Sequence, residues 1–212
     1  MIAYEQRLRN DPELVLRESS LYFMQQGPLY QTLQDLTQRL DEADIPYALI
    51  GGLALTQHGF VRMTEDIDIL LTPEGLANFK NRFLGRGYVL AFSGAQKTFR
   101  AADTGVRIEV ITSGEYPGDG LPKAVSFPDP ALVSVKQGNY RVISLEKLIE
   151  LKLASGLTAP HRRRDLADVQ DLIQALHLSA DFGEKLDASV RPLYGQLWQE
   201  TQIADNLQEG SE

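Results

Sequence analysis

The sequence contains no cysteine, which excludes disulfides, thiolate metal sites and a cysteine nucleophile. Histidine is almost as scarce: three residues, at 58, 161 and 177, are too few and too scattered for a histidine-rich zinc site. No apolar run approaches the ~20 residues that a membrane-spanning helix requires. The opening stretch MIAYEQRLRNDPE also lacks the apolar core of a secretion signal. These absences lead to the expectation of a cytoplasmic protein with no membrane partner. Positive charge is in deficit too, with 21 Lys and Arg against 29 Asp and Glu and a net charge of −8. That balance argues against broad coating of nucleic acid, which needs an extended positive surface. The basic residues are nonetheless clustered, most densely at His161-Arg162-Arg163-Arg164. This run reads either as a solvated cluster or as a local site that helps hold phosphates or RNA.

What is present suits an ordinary globular chain: 212 residues, 43% hydrophobic and 24% charged, suffice for one good core or one core plus a smaller helical domain. Asp11-Pro12-Glu13 predicts a helix start, with Asp as N-cap and Pro at the first position, running to about residue 26 and stopped by Gly27. Pro28 opens a second helix with Leu29, Leu33, Leu36 and Leu40 at helical spacing. The continuous apolar run 45–50 reads as a buried central strand, and Gly51-Gly52 as a tight turn into a short helix over 53–58. Such a strand, glycine turn and helix aims backbone N–H groups at whatever sits there, although most Gly-Gly turns are only turns. Further along, the pattern predicts a helix over 73–84 and strands over 65–71, 88–92, 97–102 and 106–111. A glycine- and proline-rich loop spans 112–130, and a hairpin turns at Gly138-Asn139. Ser144 caps a helix ended by Gly156, and helices over 161–176, 182–186 and 190–203 complete the chain. The expected organisation is two N-terminal helices packed on the body (1–44), an α/β domain (45–143), a helical region (144–205) and a flexible tail (206–212).

The stretch 47–72, YALIGGLALTQHGFVRMTEDIDILLT, breaks this pattern with chemistry. Asp66 and Asp68 stand two residues apart on a strand, so both side chains leave one face while Ile67 and Ile69 enter the core. Two carboxylates about 7 Å apart on one face repel each other unless something positive lies between them, and a divalent cation held by oxygen ligands is the obvious candidate. Glu109, alone among β-branched apolar residues in the strand 106–111, is a third candidate ligand.

Two helices carry charges in their apolar sectors. On the first, Leu145, Leu148, Ile149 and Leu153 define one face with Lys152 near its middle. That lysine either snorkels outward along its stem or points at an anion. On the second, Leu166, Val169, Leu172, Ile173 and Leu176 form the core face. Asp165 lies inside this sector near the helix N-terminus, Asp168 at its edge and Asp171 outside. Asp165 either helps its own helix or meets Lys152 across a shared cleft.

Gly51-Gly52, thirteen residues, Asp66-Ile67-Asp68 and then Glu109 within Arg107-Ile108-Glu109-Val110-Ile111 resemble the polymerase-β-like nucleotidyltransferase superfamily. The longer strings GGLALTQHGFVRMTEDIDILL and LEKLIELKLASG…RRRDLADVQDLI look closer to its AbiEii and MenT-type toxin branch and to the small MNT-type domains. The resemblance covers roughly residues 45–176. It implies an α/β (α+β) fold, a mixed β-sheet with flanking helices followed by a C-terminal helical part. The implied activity is transfer of NMP from an NTP to an acceptor hydroxyl, at a tRNA 3′ end or on a protein. The implied setting is the toxin of a toxin–antitoxin pair, with a cognate antitoxin as partner. Carried over, Asp66 and Asp68 would hold Mg²⁺ (or Mn²⁺) on the triphosphate, and Glu109 would complete the carboxylates and help activate the acceptor. Lys152 would contact phosphate, Asp165 would position it, and Gly51 and Gly52 would face the triphosphate through their amides. Arg62 and Thr64 are further phosphate-contact candidates. Two departures stand out: the superfamily usually has Gly-Ser where this chain has Gly51-Gly52, and Asp where it has Glu109. They motivate the alternative of a non-catalytic member that binds a nucleotide or a partner, as an antitoxin-like regulator.

Overall fold

The computed structural model describes residues 3–209, with side chains described through residue 203. The helices are α1 (Tyr4–Asn10), α2 (Pro12–Phe23), α3 (Gly27–Glu42), α4 (Gly51–Gln57), α5 (Pro73–Phe83), α6 (Pro130–Val133), α7 (Leu145–Thr158), α8 (Arg163–Ala175) and α9 (Arg191–Glu209). The strands are β1 (Ala48–Leu49), β2 (Asp66–Leu71), β3 (Tyr88–Leu90), β4 (Thr98–Ala101), β5 (Arg107–Thr112), β6 (Ser134–Gln137) and β7 (Tyr140–Ile143). They form one mixed sheet in the order β3-β4-β5-β2-β1-β7-β6, with β2–β5 and β1–β7 parallel and the other pairs antiparallel. The fold is thus the expected α/β arrangement of a mixed sheet with flanking helices, and α7, α8 and α9 all follow the last strand.

Alternation explains why the sheet presents an acidic face. Ile67, Ile69, Ile108 and Val110 are buried in the core, so their neighbours Asp66, Asp68, Arg107 and Glu109 emerge on the other side. The same core takes Leu29, Leu33, Leu36 and Leu40 from α3, Leu148 and Leu153 from α7, and Val169, Leu172 and Ile173 from α8. Among the described residues, no helix is long and apolar enough to cross a membrane.

Several boundaries differ from the sequence reading for identifiable reasons. The strand expected over 45–50 is reduced to Ala48–Leu49 because its start closes a helix instead. Ile45 N–H bonds the carbonyl of Leu40 at 2.9 Å, Asp44 is left-handed (φ 53°), and Pro46 has no N–H to give a ladder. Helix α2 is capped by Asp11 as expected but ends at Phe23, since Gln25 turns left-handed (φ 55°), and Gly27 opens α3 rather than stopping α2. Helix α1 has no counterpart in the sequence reading; it is anchored by buried Tyr4 and Leu8. Gly156 does not end α7, which continues to Thr158. Its role is spacing: a Cβ there would lie 2.4 Å from Leu166 Cδ2, so α7 and α8 approach closely only because the side chain is missing. Over 182–186 the chain forms a 3₁₀ segment, Ala180–Lys185. The tail expected over 206–212 lies outside the described side chains, and its last three residues lie outside the described residues altogether.

Candidate active site

The parallel pairing of β2 with β5 sets Asp68 directly beside Glu109 and Asp66 beside Arg107. One carboxylate oxygen from each of Asp66, Asp68 and Glu109 lies within 4.8 Å of the others. All three residues are half-buried. Two neighbours hold the carboxylates in place. The Thr64 hydroxyl donates to Asp66 Oδ1 at 2.8 Å, and Arg107 Nη2 donates to Glu109 Oε2 at 2.7 Å. Burial first, then the charges of Asp66 and Glu109, push the Asp68 carboxyl up to about 7, although Lys152 and Arg107 pull the other way.

The glycine turn is fitted to these aspartates. Gly51 is left-handed (φ 62°), and a Cβ there would sit 1.9 Å from Asp68 Oδ2. A Cβ on Gly52 would meet the Thr64 Cβ at 2.9 Å. Glycine at both positions therefore keeps the space beside the acidic pair open, and the serine usual at the second position has no room without moving Thr64. Three convergent oxygen donors, mutual repulsion unrelieved by a cation, and an open approach suit a hard divalent ion. The residues present fit that group.

Facing them, α7 and α8 form the second wall. Lys152 is buried, and its ammonium donates to Asp168 Oδ2 at 2.6 Å and to Asp165 Oδ1 at 3.1 Å. Asp165 also accepts from the Ser155 hydroxyl at 2.6 Å and from Arg162 Nε at 2.9 Å. Burial pushes the Asp165 carboxyl up, but Lys152, Ser155 and Arg162 outweigh it and hold it below the usual range. Arg62 reaches in from the loop before β2, its Nη2 lying 3.6 Å from Asp168 Oδ2. The Nε atoms of Arg62 and Arg107 are buried with no hydrogen-bond partner among the described residues.

The nine residues singled out in the sequence converge on one cleft with two lobes. Gly51, Asp66, Asp68, Lys152 and Asp165 line both lobes. Arg62, Thr64 and Gly52 line one of about 540 Å³, and Glu109 lines the other of about 440 Å³. Lys152 does not snorkel; it is held inward by carboxylates. Asp168 escaped the sequence reading, which placed it at the edge of the apolar sector, yet it is 2% exposed and makes the shorter bond to Lys152. Its spacing of three from Asp165 puts both on one helix face, and a buried lysine calls for a second counter-charge. Ser155 and His161 also reach the cleft without having been singled out.

No family model matches the sequence, and no curated protein matches it either. Among solved structures, the chain is similar to ANT(2")-Ia in complex with adenylyl-2"-tobramycin, with 13% identity and a TM-score of 0.49 over 80% of this chain and 96% of that one. It is also similar to TM1012 of Thermotoga maritima, which carries a nucleotidyltransferase assignment, with 21% identity and a TM-score of 0.46 over 65% and 92% of the two chains. JHP933 from Helicobacter pylori aligns with 18% identity and a TM-score of 0.44 over 85% and 93%.

Proposed function

We propose that the protein is a metal-dependent nucleotidyltransferase that moves NMP from an NTP to an acceptor hydroxyl. One observation carries this reading: three strand carboxylates within 4.8 Å of one another face a wall of lysine and arginine across a single cleft. Acidic ligands on one side and cations on the other suit a polyanion bound through a divalent ion.

Asp66, Asp68 and Glu109 would hold Mg²⁺ or Mn²⁺. When bound, such an ion offsets charge developing on the reacting phosphate and helps align the attacking oxygen. Lys152 and Arg62 supply fixed positive charge beside the leaving pyrophosphate, and Asp165 and Asp168 keep the Lys152 ammonium aimed into the cleft. The open space at Gly51 and Gly52 admits phosphate oxygens close to the backbone. Glu109, restrained by Arg107, stands where it can accept the proton of an entering hydroxyl. Membership of the polymerase-β-like superfamily and of its AbiEii/MenT-type branch, with a toxin role, a cognate antitoxin and a tRNA or protein acceptor, is proposed from the sequence strings quoted above.

Incubating the purified protein with labelled NTPs, Mg²⁺ and candidate acceptors tests this. Transfer that requires Mg²⁺ and disappears in Asp66→Ala is expected. No transfer with any NTP, or transfer indifferent to Asp66, overturns the reading.

A further inference from the structure

The two lobes meet at the aspartate pair, but only one of them adds positive charge of its own. The larger lobe adds Arg62 and Arg164 to the shared Lys152 and Arg162. The smaller lobe adds no cation; its own acidic side chains are Glu109 and Glu115, and the rest of its unshared lining is largely apolar, including Ile111, Tyr116, Phe127 and Leu148. The outer wall of this smaller lobe is the loop 113–129, which is fixed in place. Lys123 Nζ donates to the Pro117 carbonyl at 2.6 Å and to the Thr158 hydroxyl at 2.9 Å, tying the loop to α7. Gly118 lies so near that helix that a Cβ would come 2.8 Å from the Ser155 carbonyl oxygen. Gly114 and Phe127 pair across the base of the loop at 2.8 Å, and so do Phe127 and Glu115.

We infer that the smaller lobe is the acceptor subsite and that it takes an uncharged hydroxyl carried on an apolar or aromatic frame. This rests on the nucleotidyltransferase reading and narrows it. Pyrophosphate belongs with the larger lobe, where the unshared arginines are, so the hydroxyl approaches from the other side, past Glu109. The acceptor oxygen forms a bond to the α-phosphorus as the bond from that phosphorus to the β-phosphate oxygen breaks. The hydroxyl proton passes to the Glu109 carboxylate and on to solvent, and pyrophosphate leaves with the electron pair. An anionic group on the acceptor would be desolvated beside Glu109 and Glu115 with no unshared cation to meet it, a cost that turns such acceptors away. The volume of about 440 Å³ suits a small ligand or one inserted side chain. A protein hydroxyl side chain and a small neutral alcohol share this chemistry. The terminal ribose of an RNA, with a phosphate on the same sugar, does not.

The test offers the full-length protein, Mg²⁺ and α-labelled NTPs three separated acceptor pools from one cell lysate: protein, RNA and the small-molecule filtrate. Label entering protein or filtrate is expected, and which of the two receives it distinguishes the sources. In Phe127→Glu, transfer should fall about tenfold while affinity for the α,β-methylene NTP analogues, measured by calorimetry, stays within about twofold. Phe127→Leu should fold and transfer almost normally, which separates loss of the apolar wall from loss of structure. Label in RNA overturns the inference, as does analogue binding with no label in any pool. It also fails if Phe127→Glu weakens analogue binding and transfer in parallel. A wild-type protein that binds no NTP analogue would instead sink the parent reading.

Discussion

Lys152 and Asp168, sixteen residues apart on consecutive helices, are joined by a 2.6 Å hydrogen bond inside a wall that is almost wholly shielded from water. The same Asp168 oxygen lies 3.6 Å from Arg62, so one carboxylate links cations from two different elements. Asp168→Ala removes both links and leaves Lys152 with Asp165 alone. The expected loss is about 2 kcal/mol of stability in a denaturant melt, because a buried ammonium is then underpaired. Turnover should fall about tenfold as Lys152 loses its aim. Asp168→Asn, which keeps an acceptor of the same shape, should restore much of the stability but less of the turnover. An Asp168→Ala protein as stable as the wild type would show that the bond does not matter.

Asp66→Ala should separate catalysis from stability. Transfer is expected to drop about a thousandfold, the scale of the several kcal/mol that metal-assisted charge stabilisation supplies. In Mg²⁺-free buffer the variant should melt slightly higher than the wild type, since one of three repelling carboxylates has gone. Added Mg²⁺ should raise the melting temperature of the wild type and leave the variant unmoved. Scanning calorimetry with and without the ion checks both statements.

The raised Asp68 carboxyl has a pH signature. In the folded, metal-free protein it titrates at about 7, well above its ordinary value near 4. Between those two values the native state holds a proton that the unfolded chain has lost. The slope of unfolding free energy with pH is therefore negative across that window, and metal-free stability declines as pH rises from about 4 to about 7. Metal binding runs the other way, because the cation must displace that proton: Mg²⁺ affinity should rise with pH and level off above about 7. Isothermal titrations with Mg²⁺ at pH 6 and pH 8, together with melts at the same pH values, test the pair of trends. Identical affinities at the two pH values would contradict the assignment.

Gly51→Ala is predicted to be far more damaging than an ordinary glycine replacement. The residue is left-handed, which alone costs an alanine about 1–2 kcal/mol. The new methyl would also occupy the position of an Asp68 carboxylate oxygen, 1.9 Å away. Asp68 must swing aside, so stabilisation by Mg²⁺ should vanish even if the circular dichroism spectrum is native. Retention of a normal Mg²⁺ response would disprove the close fit between turn and aspartate.

The acidic strand was legible because two signals agreed. Period-two alternation told which side Asp66 and Asp68 leave, and their like charge told that the side must be wet or occupied. Glu109 was legible for the same reason, standing alone in an apolar strand, and the parallel register then brought it beside Asp68. Lys152 and Asp165 could be read as inward-facing from helical phase, but phase alone left open whether each was functional or local. Asp168 fell just outside the sector because a helical wheel has no knowledge of the neighbouring helix that covers its edge. Gly156 was misread for a related reason: its sequence signal as a helix stop is the same as its signal as a spacer against Leu166, and only the approach of α8 separates them. The strand at 45–50 was overdrawn because apolar content says that a segment is buried, not that its amides pair in a ladder. Ile45 spends its amide on closing α3.

The placement of β2 has a final consequence. It is the fourth of seven strands, bonded on one side to β1 and on the other to β5. The segment with the strongest internal repulsion is therefore the one whose amides are shielded from both edges, and they should be among the slowest in the protein to exchange with deuterium. Local opening, which would relieve the crowded charges most cheaply at a sheet margin, is denied to them. The carboxylates must wait in their ligating arrangement, and an arriving cation meets a site that needs almost no refolding to receive it.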